Sequence, residues 1–358
     1  MSPLRTEVTR APGAPIGAPS PTTEADLDLL LSEPSALTAH ALTQTEGDVL
    51  VLGAGGKMGP TVARMLRRTL DKVRPTARVI AVSRFSDHNT ATTLAAAGVE
   101  TIRCDLADRA AVAALPDAPN VIFMAGHKFG THDDPAATWG ANVLLPAFAA
   151  ERYATARFVA FSTGNVYPFT SPASGGSTEN DPLAPVGEYA ASCVGRERVL
   201  AYSAQRTDTP MAIVRLNYAI DLRYGVLTDI ATRVLRGRPV DVRMGYVNLI
   251  WQGDAAARAI ACLAHVAVPP FVVNVTGPEI LSVRAIAEHF GRTFGRAPVI
   301  EGSEAPDALL SNTARSTELF GAPSTSVAQM IAWVADWVLR GGQVLDTPTH
   351  FEEREGKF

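Results

Sequence analysis

A short apolar run that stops at glycines and opens into a helical pattern constrains this chain more than any other feature. The run is Val49, Leu50, Val51 and Leu52, inside VLVLGAGGKMGPTVARML. A continuous apolar run of this kind is expected to form a strand buried on both faces. After the glycines, Val62, Met65, Leu66 and Leu70 recur at helical spacing. Pro60 falls in the first helical turn, where its missing N–H does no harm. A strand, a glycine turn and a helix N-terminus together make a site for phosphate, because unpaired helix N–H groups point at the turn. The spacing is Gly53-x-x-Gly56-x-x-Gly59, and Met58 takes the third place of the commoner G-x-G-x-x-G. Gly53 allows the tight turn, Gly56 lets backbone approach a pyrophosphate, and Gly59 lets helix pack on strand. Gly55, Lys57 and Met58 complete the loop and count among the expected cofactor contacts.

The alternation continues downstream. Strands are expected at Arg78 to Val82, around Thr101 and Ile102, at Asn120 to Met124, at Phe158 to Phe161 and at Ala212 to Leu216, with helical segments between them. This pattern predicts an α/β fold: a Rossmann doubly wound parallel sheet with a smaller C-terminal α/β substrate domain. Residues 1–23 are rich in Pro and Ala and are expected to be a flexible tail. Residues 24–47 are expected to form a helical N-terminal extension, with Leu27, Leu29, Leu30 and Leu31 near an apolar face and Ser35 capping a second helix. Residues 48–220 make the nucleotide-binding domain. Residues 221–358 make mostly the substrate domain, with 247–275 returning to the Rossmann core. Helices are expected from Ser282 to about Phe290 and from about Ser326 to Leu339.

The chain has 358 residues, 47% of them hydrophobic and 19% charged, with a formal net charge of -4. No polybasic run supports nucleic acid or acidic membrane as a partner. Cys104, Cys193 and Cys262 are too scattered for a disulfide framework or a zinc site. No signal peptide or spanning segment is apparent, and a cytoplasmic setting is expected. His127, His132, Asp133 and Asp134 lie in one loop, but their irregular spacing is weak evidence for a metal, and none is expected.

The end of the second strand reports cofactor preference. An acid there binds a ribose 2′-hydroxyl, whereas an arginine accommodates a 2′-phosphate. This chain has Ser83 and Arg84 and no acid. The reading leans to NADP over NAD.

With these residues in view, the chain resembles the extended short-chain dehydrogenase/reductase superfamily, in the NAD-dependent epimerase/dehydratase branch, over roughly residues 48 to 290. The resemblance places Asp105 in CDLAD, with Leu106, at the adenine. It places Ala125, Gly126 and Asn142 beside the cofactor. FSTGNVYP puts Thr163 in the catalytic hydroxyl position, and GEYAASC puts Tyr189 at the catalytic tyrosine. Asn217 in VRLNYAID falls where relatives contact substrate phosphate. Glu197 stands where the family often has a structural glutamate. The resemblance implies a nicotinamide cofactor on the Rossmann domain, a sugar or sugar nucleotide as substrate, and a homodimer pairing through the helix that begins at Tyr189.

The chain departs from the family at one position. Four residues after the tyrosine, where relatives carry lysine, stands Cys193. A free tyrosine has a pKa of about 10 and is a poor base at neutral pH. The family's lysine supplies the charge that favours phenolate. Three readings remain open: another cation substitutes, from Lys128 in AGHKFG or Arg196; Tyr189 works mainly as proton donor or orienter; or redox turnover is lost. Cys193 itself is expected beside the cofactor as a small packed residue. His127, Lys128, Asn165, Asn217, Arg223 and Trp251 are the candidate substrate contacts, with Tyr224, Asn248 and Gln252 nearby. The leading expectation is an NAD(P)-dependent epimerase/dehydratase-like enzyme working by hydride transfer on a sugar derivative. The alternatives are a non-catalytic NADP-binding regulatory or scaffold protein, an NADPH-dependent carbonyl reductase, and a non-redox lyase or isomerase built on the old site.

Overall fold

The computed structural model describes residues 19–131, 133–345 and 347–357. Most of the expected Pro/Ala-rich tail, and His132 of the loop considered for a metal, lie outside the described residues.

Seven strands form one sheet: β1 (Val49–Leu52), β2 (Val79–Ser83), β3 (Glu100–Arg103), β4 (Asn120–Phe123), β5 (Arg157–Thr163), β6 (Met211–Leu216) and β7 (Phe271–Val275). Their order is β3-β2-β1-β4-β5-β6-β7. Every pairing in this sheet is parallel, with Leu50 opposite both Ile80 and Val121 at the centre. The order reverses between β1 and β4. In such sheets the crevice beyond the strands' carboxyl ends at that reversal is where ligands bind.

The strands alternate their side chains between two cores. Val49 and Val51 join Val62, Leu66 and Ile260 on one face. Leu50 and Leu52 join Phe123, Phe158 and Leu200 on the other. Helices Gly59–Val73 and Gln252–Ala261 cover the first face, and helices Leu145–Arg152 and Gly187–Thr207 the second. Residues 252–275 thus add a helix and the edge strand β7 to the sheet after the chain has left it.

The N-terminal extension is two helices, Glu24–Leu31 and Ala36–Thr43, each opened by a capping box, at Thr23 with Asp26 and at Ser35 with Thr38. Leu27 and Leu31, one turn apart, are fully buried with Trp251 and Trp333, whereas Leu29 is exposed. Each buried leucine favours docking by roughly 1.5–3 kcal/mol. Leu42 of the second helix joins the sheet core instead. The extension therefore ties two cores together.

The second core is built on helices Val226–Leu235, Val283–Phe294 and Val327–Leu339. Beyond the last of these, a tail without regular structure runs back over the molecule. Leu345 N–H donates to Arg223 O, Thr349 caps Asp229, and Phe351 is buried. Gly356 then lies against the backbone of Val186 and Gly187, just ahead of Tyr189. Among the described residues, no helix is long and apolar enough to cross a membrane.

Candidate active site

The glycine loop has the shape its spacing implies. Gly53 adopts a left-handed φ of +88°, and a Cβ there would come within 2.5 Å of the Ala125 nitrogen, at the end of β4. A Cβ on Gly59 would sit 2.3 Å from Ala54 O, so helix and strand pack backbone to backbone. Gly56 meets only Gly53 O, at 3.5 Å, which leaves its surface open to an approaching pyrophosphate. These residues fit a dinucleotide. Gly55 packs toward Ser83, whose Oγ would be 2.6 Å from an added Cβ. Arg84 is exposed beside it, and Asp105, past the end of β3, is exposed with Leu106 buried behind it.

The catalytic candidates converge at the ends of β4 and β5. Thr163 closes β5; its Oγ accepts from Asn165 N–H at 3.2 Å and donates to Asn165 Oδ1 at 2.9 Å. Tyr189, in the first turns of the Gly187–Thr207 helix, is hydrogen-bonded to Thr163 and to Cys193. Burial pushes the phenol's pKa up, the neighbouring Cys193 adds to the rise, and Arg196 and Thr163 oppose it. The Cys193 side chain is 1% exposed, packed with Val166 and Tyr167. Burial pushes its thiol up as well, which argues against a thiolate nucleophile.

Two cations stand near the position the family's lysine fills. Arg196 is buried and fully engaged. It donates to Phe161 O at 2.8 Å, to Asn142 Oδ1 at 2.6 Å and to Asn142 O at 3.2 Å. Asn142 sits in a π-helical turn, Gly140–Leu144, of the kind that often marks functional positions. Its side chain also accepts from His127 N–H and donates to His127 O, both at 2.9 Å, and to Ser192 Oγ. A Cβ on Gly126 would lie 2.6 Å from the Arg196 guanidinium. Arg196 and Asn142 thus hold the loop that follows β4, and that loop presents Lys128. The Lys128 ammonium is 5.8 Å from the centre of the Tyr189 ring. Burial brings its pKa down to about 8, against the opposing pull of Cys193 and Asp229.

The remaining candidates divide. Asn165 lines a small hollow with Tyr167, Phe169 and Glu353 beside Thr163. Asn217 is buried and its amide donates to Asn248 Oδ1 and Leu309 O. Arg223 is spent on carboxylates, at 2.8 Å from Asp221 and 3.0 Å from Asp28 of the N-terminal extension. Trp251 is buried with its ring 5.2 Å from that of Trp333. The structure brings neither Arg223 nor Trp251 to the cleft, because both face the joint between the extension and the second core. Sequence reasoning placed Lys57 with the phosphate loop, yet its side chain reaches away from it, with Nζ 3.5 Å from the Tyr224 ring centre and 4.5 Å from that of Phe129. It also missed the tail: His350 faces Phe129 at 6.1 Å between ring centres, and no motif announces that contact.

Comparisons with known proteins agree with this geometry. The model of the NAD dependent epimerase/dehydratase family matches residues 49–245. No curated protein matches the sequence. Among solved structures, MoeE5 in complex with UDP-glucose and NAD is 21% identical with a TM-score of 0.65, the match covering 82% of this chain and 99% of that one. The UDP-glucose 4-epimerase of Thermotoga maritima is 16% identical with a TM-score of 0.67, over 82% of this chain and 99% of that one. DesIV, a dTDP-glucose 4,6-dehydratase from Streptomyces venezuelae with NAD and TYD bound, is 19% identical with a TM-score of 0.69, over 82% and 97%. At these identities the likeness is one of fold.

Proposed function

Because this chain belongs to the NAD-dependent epimerase/dehydratase family, we propose that it is an NAD(P)-dependent enzyme that works by hydride transfer on a sugar nucleotide or related sugar derivative. The observation that carries this reading is the hydrogen-bonded pair of Thr163 and Tyr189, at the same carboxyl edge of the sheet as a glycine loop that fits a dinucleotide. Of the solved structures with this fold, MoeE5 holds UDP-glucose and NAD, and DesIV holds NAD and TYD.

Gly53, Gly56 and Gly59 would hold the cofactor's pyrophosphate, Ser83 and Arg84 its adenosine ribose, and Asp105 and Leu106 its adenine. The bound nicotinamide supplies a site that takes up and returns a hydride. Thr163 orients the substrate oxygen by hydrogen bonding, and Tyr189 exchanges the proton of that oxygen at its phenolic oxygen. Burial holds this phenol neutral, so it serves as donor and orienter by default. To act as a base it needs positive charge nearby, which Arg196 and Lys128 supply in place of the family's lysine.

The direct test is to denature the purified protein and identify the released nucleotide by mass spectrometry. Tightly held NAD or NADP supports a hydride cycle internal to each turnover. A protein that neither carries nor binds either cofactor sinks the reading.

We propose NADP as the preferred cofactor, on the strength of Ser83, Arg84 and the absence of an acid at the end of β2. Arg84→Ala is expected to weaken NADPH binding by about tenfold to a hundredfold, the worth of one charge-assisted hydrogen bond. NADH binding should barely change. Equal losses for both nucleotides, measured by fluorescence titration, would exclude a 2′-phosphate contact.

A further inference from the structure

We propose that residues 353–357 form a latch over the substrate half of the cleft, hinged at Phe351, which has to lift before a sugar reaches Thr163 and Tyr189. The inference rests on the proposed function in taking that hydroxyl pair as the place of reaction.

The segment has a fixed root. Thr349 donates to Asp229 Oδ2 from its N–H at 2.8 Å and from its Oγ at 2.5 Å, and Asp229 belongs to the helix Val226–Leu235. The Phe351 side chain is buried in the second core. It stays docked while its neighbours move, because returning a buried phenylalanine to water is costly. Beyond Phe351 the chain crosses to Val186 and Gly187, at the start of the helix that carries Tyr189.

Little holds the segment past this root. Among the described residues, each hydrogen bond from 353–357 to the body of the protein involves a side chain, and none is a backbone ladder. Arg354 donates to Asp307 O at 2.9 Å and to the Asp307 carboxylate, and its guanidinium lies 4.3 Å from the centre of the Phe169 ring. The two paired side chains are 23% and 39% exposed, so water screens them and the pair adds little. Lids are drawn from elements of this low local stability.

The seat is nonetheless shaped for the segment. Gly356 and Gly187 both adopt left-handed φ, +75° and +81°, and meet backbone to backbone. A Cβ on Gly356 would lie 2.6 Å from Gly187 Cα, and one on Gly187 would lie 2.5 Å from Gly356 O. With the latch down, Glu353 and Gly356 wall a hollow whose other side includes Asn165, Tyr167 and Phe169. Asn165 is the residue hydrogen-bonded to Thr163. The hollow measures about 10 Å³, room for one water at most. A small-molecule site takes roughly 300–1,000 Å³. A sugar therefore enters this space only when the latch has left it.

The test reads access to the hollow in the full-length chain. Asn165→Cys places a thiol there, and its alkylation by N-ethylmaleimide is followed by mass spectrometry. Cys104, Cys193 and Cys262 are buried, and the parent protein corrects for them. Phe169→Cys serves as a second reporter on the same wall. Gly356→Ala cannot reseat against Gly187 and is expected to speed alkylation by about tenfold to a hundredfold, the worth of a strained backbone position. Asp307→Ala, which frees Arg354 from the body side, should speed it by about twofold to fivefold. The urea midpoint should stay at the parent value in both variants, because neither change touches the cores. Equal alkylation rates with and without these changes overturn the latch. So does faster alkylation that comes only with a lower midpoint, because the segment is then a fixed part of the fold. Labelling needs neither cofactor nor turnover. Faster alkylation in a protein that binds no nicotinamide cofactor would keep the latch and sink the proposed function.

Discussion

Tyr189→Phe is expected to lower turnover by about a hundredfold to ten-thousandfold, the usual worth of a positioned proton-transfer group. The substitution removes only the phenolic oxygen, which is hydrogen-bonded to Thr163 and Cys193. The ring, with Lys128 at 5.8 Å from its centre, stays in place. Cofactor content, read by mass spectrometry of the denatured protein, should therefore match wild type. Hydride exchange with cofactor deuterated at C4 should fall in step with turnover. Loss of activity together with loss of cofactor would point to a structural role for the phenol. Unchanged exchange would remove Tyr189 from the chemistry altogether.

Glu197→Ala is expected to destabilise the protein by about 3–5 kcal/mol, the cost of leaving a buried charge without its partner. Glu197 and Arg215 pair at 2.7 Å with side chains 7% exposed each. Glu197 also accepts from Ser162 Oγ at 2.5 Å, next to Thr163. Arg215 donates onward to the Tyr167 hydroxyl at 2.7 Å, and Tyr167 donates to Asn274 Oδ1 at 2.8 Å. Burial disfavours the guanidinium's charge, but the hydrogen bond and charge of Glu197 outweigh it and raise its pKa. The network ties β5, β6 and β7 together, one residue along β5 from Thr163. Urea unfolding should show a lower midpoint at unchanged slope. Replacing both partners by apolar residues, Glu197→Leu with Arg215→Met, should recover much of the loss, because no buried charge is then left unpaired. A single variant as stable as wild type would contradict the burial of this pair.

Much of the site was legible because its residues announce themselves through local backbone needs. Gly53 and Gly59 have to be glycine where a Cβ would strike Ala125 or Ala54, and Thr163 and Tyr189 stand in motifs that resemble a known family. Glu197, taken as structural from that resemblance, is indeed a buried ion-pair partner. Side-chain direction was not legible. Arg223 and Trp251 look like ligand contacts in sequence because nothing in their neighbourhood reveals that the N-terminal extension covers them. Lys57 reads as part of a phosphate loop, and only packing shows its ammonium over Tyr224. The C-terminal tail carries no motif, yet Thr349 donates twice to Asp229, which acts on both Lys57 and Lys128.

The sequence by itself determined the doubly wound sheet, the position of the cofactor turn and the hydroxyl pair. These follow from the period of apolar residues and from glycines at fixed offsets, both of which are local. The tertiary structure alone decided which cations gather near Cys193. Arg196, bonded to Asn142, and Lys128, on the loop after β4, both act on Cys193, and Lys57 meets Lys128 over Phe129 from a third segment. Charge acts through space between groups far apart in the chain, so no spacing along the sequence encodes it.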